Sequence, residues 1–131
     1  MRHPRIIVVD NDTVDHELMR MAFEKVRAAK DVLFLKSGEE LIDFLDVTEP
    51  DHQPSLIILD FNMPGLRGDE TLRRLKENPF TRETPVIIYS TTISPQMKKD
   101  LERSGVLLLL QKGNNIKKLE EQAKYFMELI E

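Results

Sequence analysis

Five short apolar runs divide the chain, at Ile6 to Val9, Val32 to Leu35, Leu56 to Leu59, Val86 to Tyr89 and Val106 to Leu110. Each has the length of a strand, and their β-branched content and lack of strict alternation suit strands buried on both faces of a parallel sheet. A buried helix can carry similar runs, so the segments between them decide. After the first run Val14, Leu18, Met21, Ala22 and Val26 recur at helical spacing, with Asp12 or Thr13 as the cap. Ser37-Gly38-Glu39-Glu40 forms a capping box ahead of Leu41, Ile42 and Leu45, where the hydroxyl and the Glu40 carboxylate satisfy orphan N–H groups. Leu72 and Leu75 mark a third helix, ended at Asn78-Pro79 because the residue before proline disfavours helical backbone. Ser94-Pro95 opens a brief polar helix with Met97 and Leu101, and Ser104-Gly105 supplies its left-handed stop. Asn114 or Asn115 opens the last helix, with Ile116, Leu119, Ala123, Phe126, Met127 and Ile130 on one apolar stripe. A strand-helix unit repeated five times predicts an α/β fold with a parallel sheet covered on both faces.

At 131 residues the chain is long enough to bury one core, and a single domain over 1–131 is expected. The stretch from Thr48 to Pro54 reads as a loop within it. The longest apolar run, five residues, is far below the roughly 20 that span a bilayer, so no membrane insertion is expected. Met1 to Arg5 leads straight into a four-residue apolar run, too short for a secretory signal, and a cytoplasmic location follows. The absence of cysteine excludes disulfides, thiolate zinc and a cysteine nucleophile. Lys and Arg number 19 against 23 Asp and Glu, for a net charge of -4 without long basic blocks, which argues against direct nucleic-acid binding. His3, His16 and His52 lack metal-ligand spacing and are expected at the surface, and Lys98 and Lys99 on a solvated helix face.

In such sheets ligands bind beyond the carboxyl ends of the strands. Those ends carry Asp10-Asn11-Asp12, Asp60-Phe61-Asn62-Met63-Pro64-Gly65, Ser90-Thr91-Thr92 and Gln111-Lys112-Gly113. Carboxylates, a hydroxyl and an ammonium therefore converge. Carboxylate oxygens are hard ligands suited to Mg²⁺, and a carboxylate can attack phosphorus while the lysine and hydroxyl hold the phosphoryl oxygens. Phosphoryl transfer to an aspartate is the chemistry these residues suit.

Over essentially its whole length the chain resembles the receiver domain of two-component response regulators. The resemblance rests on Leu59-Asp60-Phe61-Asn62-Met63-Pro64-Gly65 with Gly68, on Asp10 after the first strand, on Ser90 after the fourth and on Lys112 after the fifth. It implies a flavodoxin-like (βα)5 sheet of strand order 2-1-3-4-5, with Asp60 as phosphoacceptor and Ser90 and Lys112 in the catalytic set. The same likeness implies Mg²⁺ held by Asp10, Asp60 and Asn62, with Asn11 a weaker and Asp12 a secondary ligand. A histidine kinase or histidine phosphotransfer protein is the implied donor. The receiver is expected to stand alone, without an output domain, and to signal to a downstream protein target through its fourth helix, fifth strand and fifth helix. Ser90 moving toward the phosphoryl group is the expected trigger.

Several positions depart from the family pattern. Asn11 replaces an acidic residue and weakens the expected metal site, and Gly113 stands where proline usually follows the lysine, which predicts a looser loop. Leu109 occupies the place of a rotating aromatic, with Tyr89 as a candidate substitute. Thr91 and Thr92 flank the site and predict a long-lived phosphoryl group. These departures leave open a degenerate receiver that acts by phosphorylation-independent protein binding. Asp10-Asn11-Asp12-Thr13-Val14 also fits the opening motif of haloacid-dehalogenase-type phosphatases, with Asp10 as nucleophile. That alternative lacks a carboxylate in residues 113–118 and leaves Asp60-x-Asn-Met-Pro unexplained. A flavin-binding module lacks the phosphate loop expected after the first strand.

Overall fold

The computed structural model describes residues 3–131. Its strands are β1 (Ile6–Val9), β2 (Val32–Leu35), β3 (Leu56–Asp60), β4 (Val86–Ser90) and β5 (Leu108–Gln111), and its α-helices are α1 (Thr13–Lys25), α2 (Gly38–Asp46), α3 (Gly68–Glu77), α4 (Pro95–Leu101) and α5 (Ile116–Leu129). The strands form one parallel sheet in the order β2-β1-β3-β4-β5, which is the flavodoxin-like arrangement. Val9 pairs with Leu59, so the residues that follow, Asp10 and Asp60, emerge side by side at the carboxyl edge.

Local sequence accounts for most boundaries. Asp12 caps α1, its carboxylate accepting from the N–H groups of Val14 and Asp15. Ser37 accepts from the Glu40 N–H at 3.0 Å, and Glu40 reaches back to the Lys36 N–H at 3.1 Å, one residue before the cap itself. Ser94 and Asn115 cap α4 and α5. Asn78 leaves α3 with extended backbone ahead of Pro79. The stretch from Thr48 to Pro54 contains one 3-10 turn, Pro50–His52, and a second turn, Ala29–Asp31, precedes β2.

Two apolar layers sandwich the sheet. On one face Ile7, Val9, Ile57, Leu59 and Ile88 meet Leu41, Leu72, Leu75 and Met97 from α2, α3 and α4. On the other Val8, Ile58, Ile87 and Tyr89 meet Met19, Phe23, Leu119 and Phe126 from α1 and α5. The fully buried Phe23 and Phe126 each contribute about 2 to 3 kcal/mol by removal from water.

Several sequence expectations are corrected here. Burial on both faces holds for β1, β3 and β4, whereas the sheet edges β2 and β5 are largely half-buried. The last apolar run starts at Val106 but its strand at Leu108, with Val106 packed on the core beside it. The buried face of α1 is rotated from the expected stripe: Val14, 64% exposed, and Met21 face solvent, while His16, Met19, Ala22 and Phe23 turn inward. His16 is therefore not a surface residue but packs beside Phe34, its Nε2 without a hydrogen-bond partner among the described residues. Ile116 is likewise exposed, because it sits in the first turn of α5 ahead of the contact made by Leu119.

Candidate phosphoacceptor site

Two carboxylates and one ammonium meet where β1, β3 and β5 end. Asp10 and Asp60 are 5% and 6% exposed. Lys112 Nζ lies 2.6 Å from Asp10 Oδ2 and 3.7 Å from Asp60 Oδ1. A third carboxylate, Asp15 in the first turn of α1, is 2.9 Å from the same nitrogen. Nothing local marks Asp15, because an acid there also serves the helix dipole, and only the packing of α1 against α5 brings it to Lys112. The Tyr89 ring lies beneath the ammonium at 5.9 Å from its centroid.

Backbone shape seats Asp60. A Cβ on Gly68 would lie 2.5 Å from the Asp60 carbonyl oxygen and 2.7 Å from Phe61 Cα, so only glycine lets the start of α3 approach this closely. Gly65 adopts φ 76°, the left-handed conformation that the turn after Pro64 requires. The Asn62 N–H donates to Asp60 Oδ1 at 3.4 Å, while its side chain is exposed.

Burial is the dominant influence on Asp60 and pushes its carboxyl from 3.8 up to about 6, with Lys112 pulling it down and Asp10 pushing it up. For Lys112 burial acts to lower the ammonium, but its hydrogen bonds to Asp10 and Asp15 outweigh that and raise it above the usual lysine range. Lys112 is a permanent cation here. Burial likewise pushes the Tyr89 phenol up to about 12, so it remains a neutral donor.

The remaining expected site residues lie around this centre. Ser90 is fully buried at the end of β4, and its hydroxyl donates to the Thr92 carbonyl at 2.8 Å. Asn11 is exposed at the rim, and Asp12 commits one carboxylate oxygen to capping α1. Asp10 accepts from the Asp12 N–H through Oδ1. The loop after Lys112 is not the looser one that Gly113 predicts: Gln122 accepts from the Gly113 N–H at 2.9 Å and donates to the Gln111 carbonyl at 2.8 Å. Tyr89 does not replace the rotating aromatic, since its hydroxyl is bonded to Gln122 on the α1/α5 side, whereas Leu109 packs on the other side.

His52 also has neighbours that its spacing did not reveal. It lies 3.8 Å from Glu49 and 3.9 Å from Asp51 in the loop before β3, with its ring stacked on His3. That group is at the opposite end of the sheet.

Comparison with known proteins identifies the family and the fold. The family model of the response regulator receiver domain matches residues 6–124. Two-component response regulator ARR17 of Arabidopsis thaliana is 27% identical over 124 residues, covering 88% of this chain and 80% of that protein. Response regulator Rcp1 of Synechocystis sp. is 26% identical over 117 residues, covering 87% and 80%. The crystal structure of the phosphorylated cyanobacterial phytochrome response regulator RcpA superposes with a TM-score of 0.84 at 25% identity, covering 98% of this chain and 94% of that one. The Mn²⁺-bound form of Rcp1 superposes with a TM-score of 0.78 at 23% identity, covering 98% and 96%. With the family match running from β1 into α5, the chain belongs to the response regulator receiver domains, a family of signalling phosphoacceptors.

Proposed function

We propose that Asp60 is the phosphoacceptor of this receiver, with Lys112 and Ser90 as its phosphoryl-binding partners. One observation carries the assignment: a buried carboxylate at the end of β3 shares Lys112 with Asp10 at the carboxyl edge of the sheet. An Asp60 oxygen attacks the phosphorus of a phosphohistidine. The P–N bond breaks, and the imidazole leaves with the electron pair and takes up a proton. Lys112 and the Ser90 hydroxyl hold the phosphoryl oxygens. The donor is a histidine kinase or a histidine phosphotransfer protein, and the signal passes to a protein target from residues 1–131 acting as one cytoplasmic receiver unit.

The donor set suits Mg²⁺. Asp10, Asp15 and Asp60 place three carboxylates around Lys112, so a further cation is electrostatically welcome, and their oxygens are hard ligands. Asp10 and Asp60 are the residues to hold the ion, with Asn62 beside them and Asn11 and Asp12 at the rim. Bound there, Mg²⁺ neutralises charge developing on the phosphoryl oxygens. Rcp1, a protein of similar fold, has been crystallised in a Mn²⁺-bound form, which is a precedent for this reading.

Intact-mass analysis after incubation with Mg²⁺ and acetyl phosphate tests the assignment. Wild type should gain one phosphoryl group, about 80 Da, and Asp60→Ala should not. Labelling that survives in Asp60→Ala but disappears in Asp10→Ala would transfer the nucleophile to Asp10. A folded wild type that takes no label from acetyl phosphate or from a phosphorylated phosphotransfer protein would sink the phosphoacceptor role.

A further inference from the structure

Lys112 is flanked by two residues that have no acidic or metal chemistry of their own, Gln111 and Gly113. Both are bonded to one side chain, Gln122, in the second turn of α5. Gln122 Nε2 donates to the Gln111 carbonyl at 2.8 Å, and Oε1 accepts from the Gly113 N–H at 2.9 Å. Oε1 also accepts from the hydroxyl of Tyr89, which is 3% exposed. The carboxamide is thus used at both ends: its NH₂ meets a carbonyl, and its oxygen meets two donors. A proline at 113 has no N–H to offer. A Cβ there would lie 3.0 Å from Lys118 Cβ, 3.1 Å from Gln122 Oε1 and 3.1 Å from the Leu119 nitrogen. Glycine at 113 and glutamine at 122 therefore belong together, the first admitting α5 and the second tying it to the loop.

We propose that Gln122 is a positioning residue for phosphoryl transfer, bracketing Lys112 from both sides so that its ammonium is held at the shared edge of Asp10 and Asp60. The inference rests on the reading of Asp60 as phosphoacceptor. Gln122 touches neither carboxylate and acts through the backbone on either side of Lys112. A few tenths of an ångström at Nζ matter, because a phosphoryl oxygen has to be met at hydrogen-bond distance as the bond to phosphorus forms. The lock also joins the Lys112 loop to the buried end of β4 through Tyr89.

The test compares wild type, Gln122→Leu, Lys112→Ala and the double variant, each shown to be folded by thermal melting. The readout is the rate of acetyl-phosphate labelling at saturating Mg²⁺; acetate leaves with the electron pair of the broken P–O bond. Gln122→Leu is expected to label about tenfold more slowly than wild type. In the Lys112→Ala background the same change should cost less than about twofold, because its only route of action is gone. A wild-type rate for Gln122→Leu, or an equal loss in both backgrounds, overturns the proposal; the second result would mark a general packing role. Should Gln122→Leu fail to fold, Gln122→Glu carries the same comparison. It keeps the acceptor for Gly113 and Tyr89 but sets an oxygen against the Gln111 carbonyl, with slowing of about threefold expected only when Lys112 is present. If wild type takes no label from acetyl phosphate or from a phosphorylated phosphotransfer protein, the phosphoacceptor reading has failed and this role with it, a result distinct from selective loss at Gln122.

Discussion

The ammonium of Lys112 is closer to Asp10 than to Asp60, 2.6 Å against 3.7 Å. In the unphosphorylated state the lysine is therefore chiefly the counter-ion of Asp10 and Asp15, and Asp60 has only the fringe of its charge. Removing the ammonium leaves these carboxylates uncompensated. Lys112→Met is expected to lose about 2 kcal/mol of stability without metal and to regain most of it in millimolar Mg²⁺. Urea denaturation in EDTA and in MgCl₂ checks this, and an identical deficit in both media would refute it. Labelling should remain slow even where stability is restored.

The position of Asp60 sets a pH dependence. Its carboxyl is pushed from 3.8 to about 6 in the folded chain, so the folded state holds a proton there more tightly than the unfolded state. The group favours folding fully below about pH 4, and that contribution disappears as pH rises through 6. Asp60→Asn, which stays neutral, should exceed wild type at pH 7.5 in EDTA by about 1 to 2 kcal/mol, allowing for screening at the open mouth of the site. The advantage should vanish below pH 4. An Asn variant less stable than wild type at pH 7.5 would contradict the burial argument.

Ser90 spends its hydroxyl on the Thr92 carbonyl. To reach a phosphoryl group on Asp60 it would have to surrender that bond, so under the proposed reading it is the residue to test as reporter of the modification. Ser90→Ala should label within about threefold of wild type while losing the response of α4 and β5. Amide NMR shifts of Met97 to Gln111, recorded before and after acetyl phosphate, distinguish the outcomes. Unchanged shift responses in the variant would remove Ser90 from the switch.

Glycine 68 offers a packing test. Its absent Cβ would overlap the Asp60 carbonyl and Phe61 Cα, which are backbone atoms and cannot rotate away. Gly68→Ala should destabilise by about 2 to 4 kcal/mol. At Gly65 the neighbouring atom is the end of the Glu39 side chain, which can rotate at the loss of its bond from the Leu66 N–H, and the left-handed φ is the chief obstacle, for about 1 kcal/mol. Equal urea midpoints for the two variants would undo this ranking.

Strand positions and the meeting of Asp10, Asp60 and Lys112 were readable because apolar runs, caps and the residues ending each strand are local signals, whereas the order of the strands followed from the family resemblance. The face of α1 was not. Val14 and Met21 fit helical spacing as well as Met19 and Phe23 do, and only the sheet beneath chooses between them. His16 misled for the related reason that a ring with polar atoms can pack against Phe34. Asp15 and Gln122 were invisible because their meaning comes from distant partners, 97 residues away for Asp15 with Lys112 and 33 for Gln122 with Tyr89. Gly113 pointed to a loose loop when taken alone and to a bolted one when seen beside α5.

The two apolar layers do not stand in the same relation to the chemistry. The apolar wall of the small cavity beside Asp60 is Val8, Leu18, Met19, Ile58, Tyr89 and Leu119 from the layer under α1 and α5, with Val9 from the other layer. The layer under α2, α3 and α4 carries a comparable share of the apolar core but reaches that cavity through Val9. Exchanges under α1 and α5 therefore alter the walls around the aspartate along with the packing of the core, a coupling less direct for most residues under α2 to α4.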